Sequence, residues 1–150
     1  MDCRLENNAL LEVSDPVKNT PNQPCVKRAI VLAVKYESKG AEPKKWKTYF
    51  NLIDPLMAEE AKYIRVNLGP FAIGDGLLSR YSDQILSSCK KWIKSQNENV
   101  RWNTAMIFTA AAARKFEKDG KALLSLLEKD TDTFVSRAAK KALRNLEKNK

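Results

Sequence analysis

Apolar residues return along this chain in a pattern that repeats four times. The copies open on Val26, Ile64, Val100 and Val135, with starts 38, 36 and 35 residues apart. The eighth and ninth positions of the copies read Ala33 and Val34, Phe71 and Ala72, Ile107 and Phe108, Ala142 and Leu143. Apolar residues at i, i+4, i+7 and i+8 mark one face of a helix. The longest stretch, Val100 to Phe116, predicts one long helix, helped by the high helix propensity of Ala110 to Ala113. Between the copies lie further helical stretches, Ile85 to Ile93 and Ala122 to Leu127. The polar turns that follow, Ser95 to Asn99 and Asp130 to Thr133, offer Asn and Asp to cap the next helix.

A period in the thirties with a helix pair per copy predicts an all-α fold. The expected architecture is a HEAT-like α-solenoid of about four helix pairs, stacked in a right-handed superhelix. Each unit is too small to bury its own apolar face and hides it against its neighbours. The expected domain boundaries are 1–24, a short helix (Leu5 to Val13) and a proline-containing arm, and 25–150, the repeat domain.

Prolines and glycines punctuate the pattern. The first repeat helix is expected over Val26 to Ser38, with Lys39-Gly40 as its C-terminal cap. Pro43 opens the next helix, where Trp46, Tyr49, Phe50 and Ile53 have helical spacing, so Trp46 reads as a packing residue. Gly69-Pro70 interrupts the second copy. Proline removes a hydrogen bond inside a helix, so a kink or a restart is expected there. Gly74 and Gly76 match no phosphate-binding loop, and close helix packing explains them.

Composition narrows the chemistry. With 150 residues the chain is large enough for one core. No apolar run is long enough for a membrane span, and the first residues have no signal-peptide pattern. The chain has no His, and its three cysteines (Cys3, Cys25, Cys89) have no close pair. That argues against a zinc site and against His-assisted nucleophiles, and no cofactor or metal is expected. Reduced thiols in a cytoplasmic protein are the expectation. Lys and Arg number 27 against 18 acidic residues, a net charge of +9. That balance suits DNA or another polyanion as partner, because phosphates neutralised by cations release counterions, and it equally suits a surface that is simply rich in Lys.

Equivalent positions across the copies form rows. One row holds Lys27, Arg65, Arg101 and Ser136; the next holds Arg28, Val66, Trp102 and Arg137. The last helix adds Lys141 to its basic face. Lys27, Arg28, Arg65, Arg101, Trp102, Arg137 and Lys141 are therefore the candidate nucleic-acid-binding residues, on what is expected to be the concave side. The competing explanation is pairing with acidic residues of a neighbouring unit. Asn67 and Asn103 share one position and are expected to tie turns together.

Two segments carry a family resemblance. Trp92 to Phe108 (WIKSQNENVRWNTAMIF) and Phe134 to Lys148 (FVSRAAKKALRNLEK) resemble the DNA alkylation repeat proteins, HEAT-like solenoids that include alkylpurine DNA glycosylases. The resemblance spans Trp46 to Lys148 and is best in the last two copies. It implies a damaged nucleotide held near aromatic side chains and a catalytic Asp. The family's acidic motif, of Trp-Asp-x-x-Asp type, falls near Tyr63 to Leu68, where this chain reads YIRVNL without a carboxylate. Of its paired basic residues only Arg101 carries over, followed by Trp102. Lys141 replaces its later tryptophan. The nearest acid is Asp75, the one weak catalytic candidate. Enzymes of the family are longer, so the resemblance implies missing N-terminal repeats.

Three functions stand open. The first is a non-catalytic module whose basic face holds a nucleic-acid backbone or an acidic partner. The others are an alkylpurine glycosylase using Asp75 and Trp102, and a protein–protein adaptor.

Overall fold

The computed structural model describes residues 24–38 and 42–148. The expected helix at Leu5 to Val13, nearly all of the proline-containing arm and the cap at Lys39-Gly40 lie outside them. All regular structure among the described residues is helical. Helix α1 spans Pro24–Glu37. A 3-10 turn, Pro43–Lys45, leads into α2, Trp46–Ile53, and a second, Pro55–Ala58, follows it. Helix α3, Lys62–Asn67, runs into a π helix, Leu68–Leu77, and then a short α4, Leu78–Arg80. Helices α5 (Ser82–Trp92) and α6 (Glu98–Ile107) come next. A 3-10 segment, Ala112–Phe116, precedes α7 (Glu117–Leu127) and α8 (Thr133–Leu146).

The apolar stripes become the core. Ile30, Val34, Ile64, Leu68, Ile107, Phe108, Val135, Ala139 and Ala142 are all buried. Helix α1 packs on the π helix, the π helix on α6, and α6 on α8. Helix α2 packs against α1, α5 against α6, and α7 against α8. The segments that open the four copies thus touch in chain order.

Side-chain caps start the later helices as the polar turns predicted. Asn97 Oδ1 accepts the Asn99 N–H at 2.8 Å ahead of α6. Asp132 Oδ1 accepts the N–H groups of Phe134 and Val135 at 2.9 and 3.0 Å ahead of α8. Each bond satisfies a donor that the first helical turn leaves free. Trp46 packs as expected, its ring centroid 5.5 Å from those of Phe50 and Tyr81.

The second copy departs from expectation. The helix does not restart at Pro70, which lies inside a π helix. The backbone widens into the π helix two residues earlier, so the missing proline N–H is absorbed in a turn with a different hydrogen-bond spacing. The wider turn also rotates Phe71 off the apolar stripe, and it is 38% exposed. The glycines here allow close packing. A Cβ on Gly69 would lie 2.9 Å from the Asn103 carbonyl oxygen and from Met106 Cβ. One on Gly74 would lie 2.4 Å from Ala110 Cβ and 2.7 Å from the Ile107 carbonyl oxygen. The π helix therefore meets α6 backbone to backbone.

The single helix predicted from Val100 to Phe116 is broken. Helix α6 ends at Ile107, and Ala110 and Ala111 sit in a bend before the 3-10 segment. Distant side chains hold the break open. The Asn145 amide donates to the carbonyls of Phe108 and Ala110, both at 2.9 Å. Asp75 Oδ1 accepts the Ala112 N–H at 3.2 Å. Tertiary partners for these backbone groups outweigh the alanines' preference for helix.

The asparagine expectation holds at one position. Asn103 reaches across to donate to the Met57 carbonyl at 2.8 Å, tying α6 to the turn after α2. Asn67 donates to Tyr63 of its own helix at 2.9 Å instead. The thiol expectation also divides. Cys89 is free and buried, and burial pushes its thiol up from the ordinary range. Cys25 is disulfide-bonded, which spacing along the sequence gave no way to anticipate. No helix among the described residues is long and apolar enough to cross a membrane. Among the same residues, no group of three or more His, Cys, Asp or Glu side chains could hold a metal ion.

Candidate nucleic-acid interface

The first row of cations splits in two. Lys27 on α1 forms an ion pair with Glu59, in the turn before α3. Arg101 on α6 pairs with Asp130, in the turn before α8, through Nε to Oδ2 at 2.7 Å and Nη2 to Oδ1 at 3.2 Å. Glu59 and Asp130 each stand five residues before the start of the next copy of the pattern, so the two pairs join equivalent positions of the sequence. Arg101 Nη1 also donates to the Ser95 and Gln96 carbonyls at 2.8 and 3.2 Å. The Asp130 hydrogen bond holds the Arg101 guanidinium above its usual range. Burial works against the Asp130 carboxylate, yet Arg101 and the Asp132 N–H together hold it below its ordinary value. For Lys27 and Arg101 the explanation by pairing with an acidic neighbour is the one observed.

Arg65 is the exception in that row. Five residues before Val100 the chain has Ser95, which carries no charge. Arg65 lies instead over the ring of Trp102, its guanidinium carbon 4.2 Å from the centroid. Its Nε is buried and has no hydrogen-bond partner among the described residues. A cation over an aromatic face is held by the ring quadrupole and keeps its charge undiminished.

The second row meets the same pattern one unit earlier. Arg28 is exposed on α1, with its guanidinium 4.9 Å from the centroid of Tyr63 on α3. Two turns further along α1, Lys35 lies 5.0 Å from the Tyr36 centroid and 4.9 Å from that of Phe71 on the π helix. The structure thus holds three cation-and-aromatic contacts, Arg28 on Tyr63, Lys35 on Tyr36 and Phe71, and Arg65 on Trp102, from α1 across α3 and the π helix to α6. Lys35, Tyr36, Tyr63 and Phe71 were not among the candidates. Lys35 follows Arg28 by seven residues, a same-face spacing that could have found it. Phe71 falls on the apolar stripe by spacing, and in the π helix it is exposed. Arg137 and Lys141 are exposed one turn apart on α8. Neither makes an ion pair with any described residue.

Asp75 takes a backbone role, accepting the Ala112 N–H. It lines a cavity of about 370 Å³ with Lys35, Ser79, Arg80 and Ala112. A second cavity, of about 400 Å³, is lined by Phe50, Asp54, Ser88, Lys91, Trp92, Ser95 and Val100. There the Trp92 indole N–H donates to Asp54 Oδ1 at 2.8 Å and the indole stacks with Phe50.

Comparison with known proteins returned no matching family model, curated protein or solved structure.

Proposed function

We propose that the chain is a non-catalytic, HEAT-like repeat module that binds nucleic acid through Arg28, Lys35 and Arg65. The observation that carries this is Arg65. Its row-mates Lys27 and Arg101 are consumed by carboxylates, whereas Arg65 is held on Trp102 with its charge unneutralised. The Arg28–Tyr63 contact repeats that arrangement in the preceding unit. Cations interleaved with aromatic rings suit a ligand with phosphates to neutralise and flat bases to cover. The chain-order packing of the copies and their spacing support the HEAT-like reading.

Arg101 clamps two units together, so the test belongs on Arg28 and Arg65. Arg28→Ala with Arg65→Ala is expected to weaken binding of a labelled oligonucleotide by roughly tenfold at low salt. The charge-matched control is Lys90→Ala with Lys118→Ala, exposed positions on α5 and α7. If the control loses as much affinity as the Arg variant, the protein has no localised face and the proposal fails.

A further inference from the structure

The face carries more than charge. Tyr36, Val66 and Phe71 are exposed by 68, 48 and 38%, and a cation lies over the rings of Tyr36 and Phe71. Lys35 touches the rings of both Tyr36 and Phe71, and Val66 directly follows Arg65. The outer surface of a duplex offers such side chains little besides phosphate and sugar. Against it, apolar groups would lose water without gaining an apolar partner. Unpaired bases offer flat π faces, which stack on aromatic rings and on guanidinium planes.

We infer that this face takes single-stranded nucleic acid, its phosphates meeting Arg28, Lys35 and Arg65 and its bases stacking on Tyr36 and Phe71. The inference rests on the nucleic-acid reading proposed above. Arg28 and Lys35 are seven residues apart on α1, about 10 Å along the helix axis. The phosphate contacts are thereby spread along the strand, with aromatic surface between and beside them. An acidic amphipathic peptide would also match charge and apolar surface. The aromatic character of the exposed and half-buried groups (Tyr36, Tyr63, Phe71, Trp102) favours bases over aliphatic side chains.

The experiment compares a labelled oligothymidine of about 15 nucleotides with a duplex of equal length, by fluorescence anisotropy. Single strand is expected to bind roughly tenfold tighter than duplex. Tyr36→Ala with Phe71→Ala should lower single-strand affinity at least about fivefold and leave duplex affinity within about twofold. Tyr36→Ala alone, at a side chain that is mostly exposed, should give part of that loss even if the double variant folds poorly. Duplex binding as tight as single-strand binding would overturn this inference and leave the nucleic-acid module standing. Binding to neither, or binding only to an acidic amphipathic peptide of Glu and Leu at helical spacing, would overturn both.

Discussion

Arg65 and Arg101 hold the same place in successive copies and do different work because of one residue each. Asp130 takes the guanidinium of Arg101, while Ser95, at the corresponding place, leaves Arg65 to Trp102. Ser95→Glu should therefore draw Arg65 into a clamp like Lys27–Glu59 and weaken nucleic-acid binding about as much as Arg65→Ala. Unchanged affinity would separate Arg65 from the face. The existing clamp is two-pronged and mostly buried. Asp130→Asn should cost about 2 kcal/mol in urea unfolding, because it leaves the guanidinium short of its charge partner. The pH dependence has a definite sign. Folding holds the Asp130 pKa below its ordinary value of 3.8, so the pair's contribution is complete above about pH 4. It is lost as the pH falls through the depressed folded value. The stability gap between the native chain and Asp130→Asn should shrink on acidification through that window and stay constant from pH 5 to 8.

At the scale of elements, the π helix and the break after Ile107 determine how the second and third copies meet. Gly74 has no room for a methyl group against Ala110. Gly74→Ala should destabilise the protein by about 2 kcal/mol, because both neighbours belong to packed backbone segments. Asn145→Leu should cost about the same by stripping the Phe108 and Ala110 carbonyls of their donor. Thermal unfolding reads both, and a change below about 0.5 kcal/mol in either would discount the packing described. The sequence made some of this legible. The stripes and the caps at Asn97 and Asp132 are local, set by residues within a turn of the helix they serve. The break is not local. It depends on Asn145 and Asp75, each more than thirty residues away along the chain. Pro70 announced a disturbance, but the widened turn that holds it packs through Gly69 and Gly74 against residues more than thirty positions further along the chain.

At the scale of the whole molecule, the rows of cations were visible in the repeat, and their roles were not. Lys27 and Arg101 looked like binding residues because the acids that consume them lie about thirty residues further along. Arg65 lies on Trp102 and Arg28 on Tyr63, and the aromatic partners of the cations were the hidden half. Tyr63 and Phe71 are apolar residues at helical spacing, which ordinarily means core. Tyr63 does pack against the core and Phe71 is exposed, and each ring carries a cation over it. If the cations of this face meet phosphates, the affinity for a single strand must fall with salt. Three cations on a single strand predict that log K falls with log salt at a slope of about −2, and that Arg28→Ala with Arg65→Ala flattens it to about −0.7. Binding whose strength does not change with salt, or a slope unaltered in the double variant, would contradict the account.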